Sequence, residues 1–169
     1  MPRPLMVFVR VVDVFNRIVG RATMYLIFVI MGVLLWSSIS KTFILPSLWT
    51  LEMAQFLMVG YFMLGGPYSL QLGSNVRMDL FYSMWSDRTR AWVDAFTVIF
   101  LLIFLGVLLY GGWQSTAYAL EYGERSRTAW RPYMAPIKII MCIAIVMMIL
   151  QAIAHFLRDV ARIRGEDLP

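Results

Sequence analysis

The chain has 169 residues, is 60% hydrophobic and 15% charged, and carries a net charge of +5, with a mean hydropathy of +0.71. Soluble globular chains are ~45–50% apolar and ~25% charged, so lipid rather than water is the expected solvent here. The Lys and Arg residues sit in short patches beside apolar runs rather than on one polar face, which fits topology control and anionic lipid and argues against a nucleic-acid partner.

Residues 1–21 carry Arg3, Arg10, Arg17 and Arg21 against one acid, Asp13. Arg10, Asp13, Arg17 and Arg21 are spaced to share one helical face, with Val7, Phe8, Val11, Val12, Phe15 and Ile18 largely opposite. The pattern predicts an amphipathic helix on the membrane surface. The positive lead is long for a signal peptide and no small-x-small cleavage site follows the apolar core, so the segment is expected to stay in the mature protein.

A first span is expected over residues 23–40, ending at Lys41, with Pro46 and Trp49 in the link that follows. A second is expected over 51–72. It opens with Glu52 and contains Gly65-Gly66-Pro67, where the missing proline donor asks for protein or water against that face. The central loop, 73–90, holds Asn75, Arg77 and Asp79, then an amphipathic stretch read as a second interfacial helix. A third span is expected over 92–113, with Asp94 at its first turn. The third loop carries Glu121, Glu124, Arg125, Arg127, Trp130 and Arg131. A fourth span is expected over 134–156, and 157–169 forms a tail of alternating charge. No internal repeat of the kind found in inverted-repeat transporters is visible.

The expected fold is therefore all-α and integral to the membrane: four transmembrane helices in one domain, plus N-terminal and central interfacial amphipathic helices. Ten of the 15 basic residues flank one side (Arg3, Arg10, Arg17, Arg21, Arg77, Arg88, Arg90, Arg158, Arg162, Arg164). By the positive-inside rule both termini and the central loop lie in the cytoplasm.

Chemistry is sparse. Cys142 is the single cysteine, so neither an internal disulfide nor a CxxC pair can form. With one histidine, His155, a haem or metal centre lacks ligands, and no cofactor is expected. Glu52 reads as an interfacial carboxylate at the head of its span, as a proton- or ion-coupling site, or as a contact with a partner subunit. Arg77 and Asp79 read as a local pair in a turn; no nucleophile and base converge on them, and an enzyme is not expected. Residues 121–132 are either a solvated loop or a docking face, since Trp and Arg are common interface anchors.

Several stretches in fixed order carry a family resemblance: Leu51-Glu52, Leu64-Gly65-Gly66, the run from Leu72 to Ser83 with Asn75-Val76-Arg77-Met78-Asp79, Arg88 to Asp94, Glu121 to Ser126, and Trp130-Arg131-Pro132 with Pro136-Ile137-Lys138. Across residues 23–157 the chain resembles the small, four-helix DctQ-type membrane subunit of the tripartite ATP-independent periplasmic (TRAP) transporters. The family pattern usually has histidine where this chain has Asn75, which does not titrate; that departure argues against a proton role there.

The resemblance implies a non-catalytic subunit of the bacterial inner membrane. In such systems a periplasmic binding protein delivers an organic anion, typically a carboxylate. A large membrane subunit then carries it inward with sodium ions, beside the small subunit as scaffold. The candidate partner-contact residues are Glu52, Gly65, Gly66, Pro67, Asn75, Arg77, Asp79, Glu121, Trp130 and Arg131. The alternative reading is a self-sufficient four-helix, ion-coupled exporter using Glu52.

Overall fold

In lipid a backbone must satisfy its own hydrogen bonds, and these apolar runs do so as helix. The computed structural model describes residues 3–73 and 87–163. Its helices are α1 (Arg3–Met24), α2 (Leu26–Phe43), α3 (Thr50–Gln71), α4 (Asp87–Glu121) and α5 (Ala135–Ile163). Among the described residues the sole strand-like feature is an isolated antiparallel bridge between Arg125 and Tyr133.

The expected arm and first span join almost without a break. α1 runs to Met24 and α2 starts at Leu26, with Tyr25 between them. There Tyr25 N–H bonds Ala22 O at 3.2 Å and Phe28 N–H bonds Tyr25 O at 3.1 Å, a tightened i→i+3 turn. α4 and α5 outlast their predicted spans, because hydropathy sees only the apolar part of a helix. At 35 residues, α4 is about 50 Å long, well beyond a hydrocarbon core of about 30 Å. α4 ends at Glu121, two residues before Gly123, whose φ of 58° is left-handed. That turn lets Glu124 N–H bond Ala119 O at 3.1 Å, the wrap of a Schellman motif. α5 continues to Ile163, within the expected tail. Apart from Asp87 to Arg90, which open α4, the predicted central interfacial helix lies outside the described residues.

Among the described residues three stretches are long and apolar enough to cross a membrane: Leu5–Phe43, Trp92–Glu121 and Ala135–Ala161. α3 matches the second predicted span to within a residue, yet it is not one of them. Glu52, Gln55, the glycines and Pro67 dilute its hydropathy. The packing shows why that is tolerable: α3 lies against α1, α2 and α5, so much of it meets protein rather than lipid.

The core is a triangle of α1, α3 and α5, each touching the other two. α2 leans chiefly on α3, and α4 on α5. Small residues let α5 occupy the centre: Ala144, Ala152, Ala154 and Ala161 are all fully buried. Leu105 of α4 packs onto Ile145 and Ala152, while Val9 and Val12 of α1 pack onto Ala154. α3 continues through Pro67, which is buried, and a Cβ on Gly66 would meet the terminal methyl of Met148. That part of the Gly-Gly-Pro stretch is thus covered within the chain.

Candidate functional site

Buried polar groups gather where α1, α3 and α5 meet. Asp13 and Arg158 form an ion pair, with side chains 17% and 19% exposed. Gln151 Nε2 donates to the other Asp13 oxygen at 3.0 Å, and Asn16 Nδ2 donates to Gln151 Oε1. Gln71, the last residue of α3, donates to the Asp13 carbonyl at 3.3 Å. Asn16 and Gln151 are 1% and 0% exposed. A buried amide without a partner costs several kcal/mol in lipid, so these pairings select one register of α1 on α5. Beside them α1 crosses α3 closely. Tyr68 Cβ and Cγ occupy the place where Gly20 would carry a side chain.

This cluster was missed in the sequence, where Asp13 read as one member of a basic face. The signal was available. Asn16 and Gln151 are amides inside apolar helices, and Arg158 follows Gln151 by seven residues, on the same face. The arm's apolar residues also divide. Val12 is buried with Val9, whereas Val7, Val11, Phe15 and Ile18 are exposed.

A second polar group lies at the other end of α3. Thr50 Oγ1 donates to Ser37 Oγ at 3.0 Å and pairs with Ser47 Oγ at 2.9 Å, and Ser47 reaches Ser40 at 3.2 Å. These hydroxyls tie α2 to α3 across the Pro46 link. Glu52 follows in the first turn of α3, 7% exposed, with no hydrogen-bond partner for Oε2 among the described residues.

The third loop has a defined shape. Ser126 N–H bonds Pro132 O at 2.9 Å and Met134 N–H bonds Glu124 O at 3.0 Å, closing a short hairpin. Lys138 pairs with Glu124, and Arg125 bonds Tyr133 OH with its guanidinium 4.2 Å above that ring. Glu121, Trp130 and Arg131 are exposed, and Arg131 has a left-handed φ of 51°. Below the hairpin, α3 and α4 diverge over α5, leaving a cleft of about 280 Å³ lined by Gln55, Phe56, Ser115, Thr116 and Lys138. A larger apolar groove of about 760 Å³ lies between Phe15, Trp113 and Val146.

The predicted contact residues therefore do not form one site. Glu52, Gly66 and Pro67 face inward, Gly65 has open space where a Cβ would stand, and Glu121, Trp130 and Arg131 lie on the hairpin side. Asn75, Arg77 and Asp79 lie outside the described residues. Cys142 is buried, with Sγ 3.3 Å from Thr116 Oγ1. Among the described residues no three His, Cys, Asp or Glu side chains converge to hold a metal.

A protein-family model described as "Tripartite ATP-independent periplasmic transporters, DctQ component" matches residues 30–162. No curated protein and no solved structure matches the chain.

Proposed function

The chain belongs to the DctQ component family of the tripartite ATP-independent periplasmic transporters, and from that premise we propose that it is the fixed membrane frame against which the large subunit works. It is a small, non-enzymatic membrane component of such a transporter in the bacterial inner membrane. In the proposed arrangement α2 to α5 each cross the bilayer, with α1 at the cytoplasmic boundary and both termini inside. The excess of basic residues on that side supports this orientation. The large subunit moves an organic anion, delivered by the periplasmic binding protein, inward with a coupling ion.

The observation that carries the reading is where the polar groups go. Asp13, Asn16, Gln71, Gln151 and Arg158 lock the three inner helices to one another. The outer helix α4 keeps Phe96, Phe100, Phe104 and Val107 exposed. A rigid core with apolar flanks suits a helper that gives a moving neighbour something to bear on. Gly65, with room beside it, is the proposed point of close helix contact with the large subunit. The hairpin bearing Glu121, Trp130 and Arg131 is the proposed face toward the binding protein.

Single cysteines at Gly65 and Trp130, on a Cys142→Ser background, test this in membranes that contain the whole transporter. Crosslinks from position 65 to the large subunit and from position 130 to the binding protein are expected. If neither position reaches a partner chain, the assigned faces are wrong. Solute uptake by the isolated chain in liposomes would overturn the helper role itself and favour the exporter reading.

A further inference from the structure

We propose that the outward edge of α1 is a binding site for the phosphodiester headgroups of anionic phospholipids, formed by Arg10, Arg17 and Arg21.

α1 presents three surfaces, and the bundle takes only one. Val9, Val12, Asn16, Gly20 and Thr23 are buried. Val7, Val11, Phe15 and Ile18 are 53–63% exposed. Along the border between these surfaces stand Arg10, Arg17 and Arg21, all exposed, spaced seven and four residues apart on one line of the helix. They have no ion-pair partner among the described residues. Asp13, the one acid in α1, is committed to Arg158.

The proposed orientation also puts this edge at the right depth. Asp13 bonds Gln71, where α3 ends, and Gly20 lies against Tyr68, three residues earlier in α3. Both contacts fall in the last turn of α3, the end that the proposed orientation puts at the cytoplasmic boundary. The Asp13–Arg158 pair prevents α1 from rolling, which fixes the arginines on an outer edge beside exposed valine and phenylalanine. A guanidinium fork suits phosphate oxygens, and the neighbouring apolar surface suits the acyl chains below them. Charge thus specifies an anionic lipid rather than a zwitterionic one. The inference rests on the proposed place of α1 at the cytoplasmic boundary, but not on which face meets the large subunit.

Native mass spectrometry of the full-length chain in mild detergent tests it, with phosphatidylglycerol and phosphatidylcholine titrated separately. The wild type should retain phosphatidylglycerol roughly tenfold more tightly. The triple variant Arg10→Gln, Arg17→Gln, Arg21→Gln should lose that preference. A control variant, Lys41→Gln, Arg127→Gln, Arg131→Gln, removes the same charge elsewhere and should keep it. The triple arginine-to-lysine variant keeps the charge and should keep most of the preference, so a fold defect in the glutamine variant is separable. Equal retention of the two lipids by the wild type overturns the proposal. So does an equal loss in the control, or a partner protein rather than lipid held by the three arginines.

Discussion

Asp13 and Arg158 stand 145 residues apart in the chain and form a largely buried ion pair between the first and last helices. Removing one member strands the other charge among apolar helices, where its desolvation is no longer offset. Asp13→Ala or Arg158→Ala should each destabilise the folded chain by about 2–4 kcal/mol. The double variant Asp13→Leu, Arg158→Leu should cost less than the two singles combined. Equilibrium unfolding in detergent, arranged as a double-mutant cycle, measures the coupling; additive losses would show that the pair does not act as a unit.

The crossing of α1 and α3 is limited by Gly20. Because the obstacle is Tyr68 Cβ and Cγ, atoms close to the backbone, Gly20→Ala should lower stability by about 1–3 kcal/mol. Tyr68→Phe keeps both atoms and should give no rescue. Gly66→Ala meets only the flexible end of Met148 and should cost clearly less than Gly20→Ala. Thermal melts of Gly20→Ala, Gly66→Ala, Tyr68→Phe and the Gly20→Ala, Tyr68→Phe double variant rank the effects; equal losses at the two glycines would contradict the close approach at Gly20.

Two residues of the third loop share a left-handed backbone but differ in side chain. Gly123 has φ 58° and Arg131 has φ 51°. Gly123→Ala should destabilise by about 1 kcal/mol, and Arg131→Gly should be neutral or stabilising by up to about 1 kcal/mol. If Arg131→Gly also weakens recovery of the binding protein with the purified transporter, the arginine is retained for contact rather than for folding.

Cys142 offers a built-in reporter. It is buried, with Thr116 beside it. A maleimide should leave it unmodified in the folded chain and modify it once the α4–α5 packing opens. Labelling against denaturant should follow the unfolding transition. Fast labelling under native conditions would mean that α4 separates from α5 on its own.

Much of this protein could be read along the chain. An apolar run declares itself over about 20 consecutive residues, so the helices, the lipid solvent and the family pattern were visible without any knowledge of folding partners. The helix ends were less visible. Gly123 ends α4 by its backbone geometry at Glu121, eight residues beyond the expected span, while polar residues continue α5 to Ile163. Hydropathy carries no signal for either event.

What only the tertiary structure decided is which side chains meet. Asn16 finds Gln151 across 135 residues, Asp13 finds Arg158 across 145, and Tyr68 fills the space beside Gly20. None of these pairs belongs to a common local pattern, because helical periodicity states which residues share a face but not which helix that face will meet. The same reason explains α3. Its polar and small residues lower its hydropathy when it is read alone, and its place among α1, α2 and α5 is what makes them tolerable. Sequence alone determined the material of the fold, since solvation is a property each residue carries with it. Structure determined the register and the exposed edge of α1, since those depend on contacts between residues far apart in the chain.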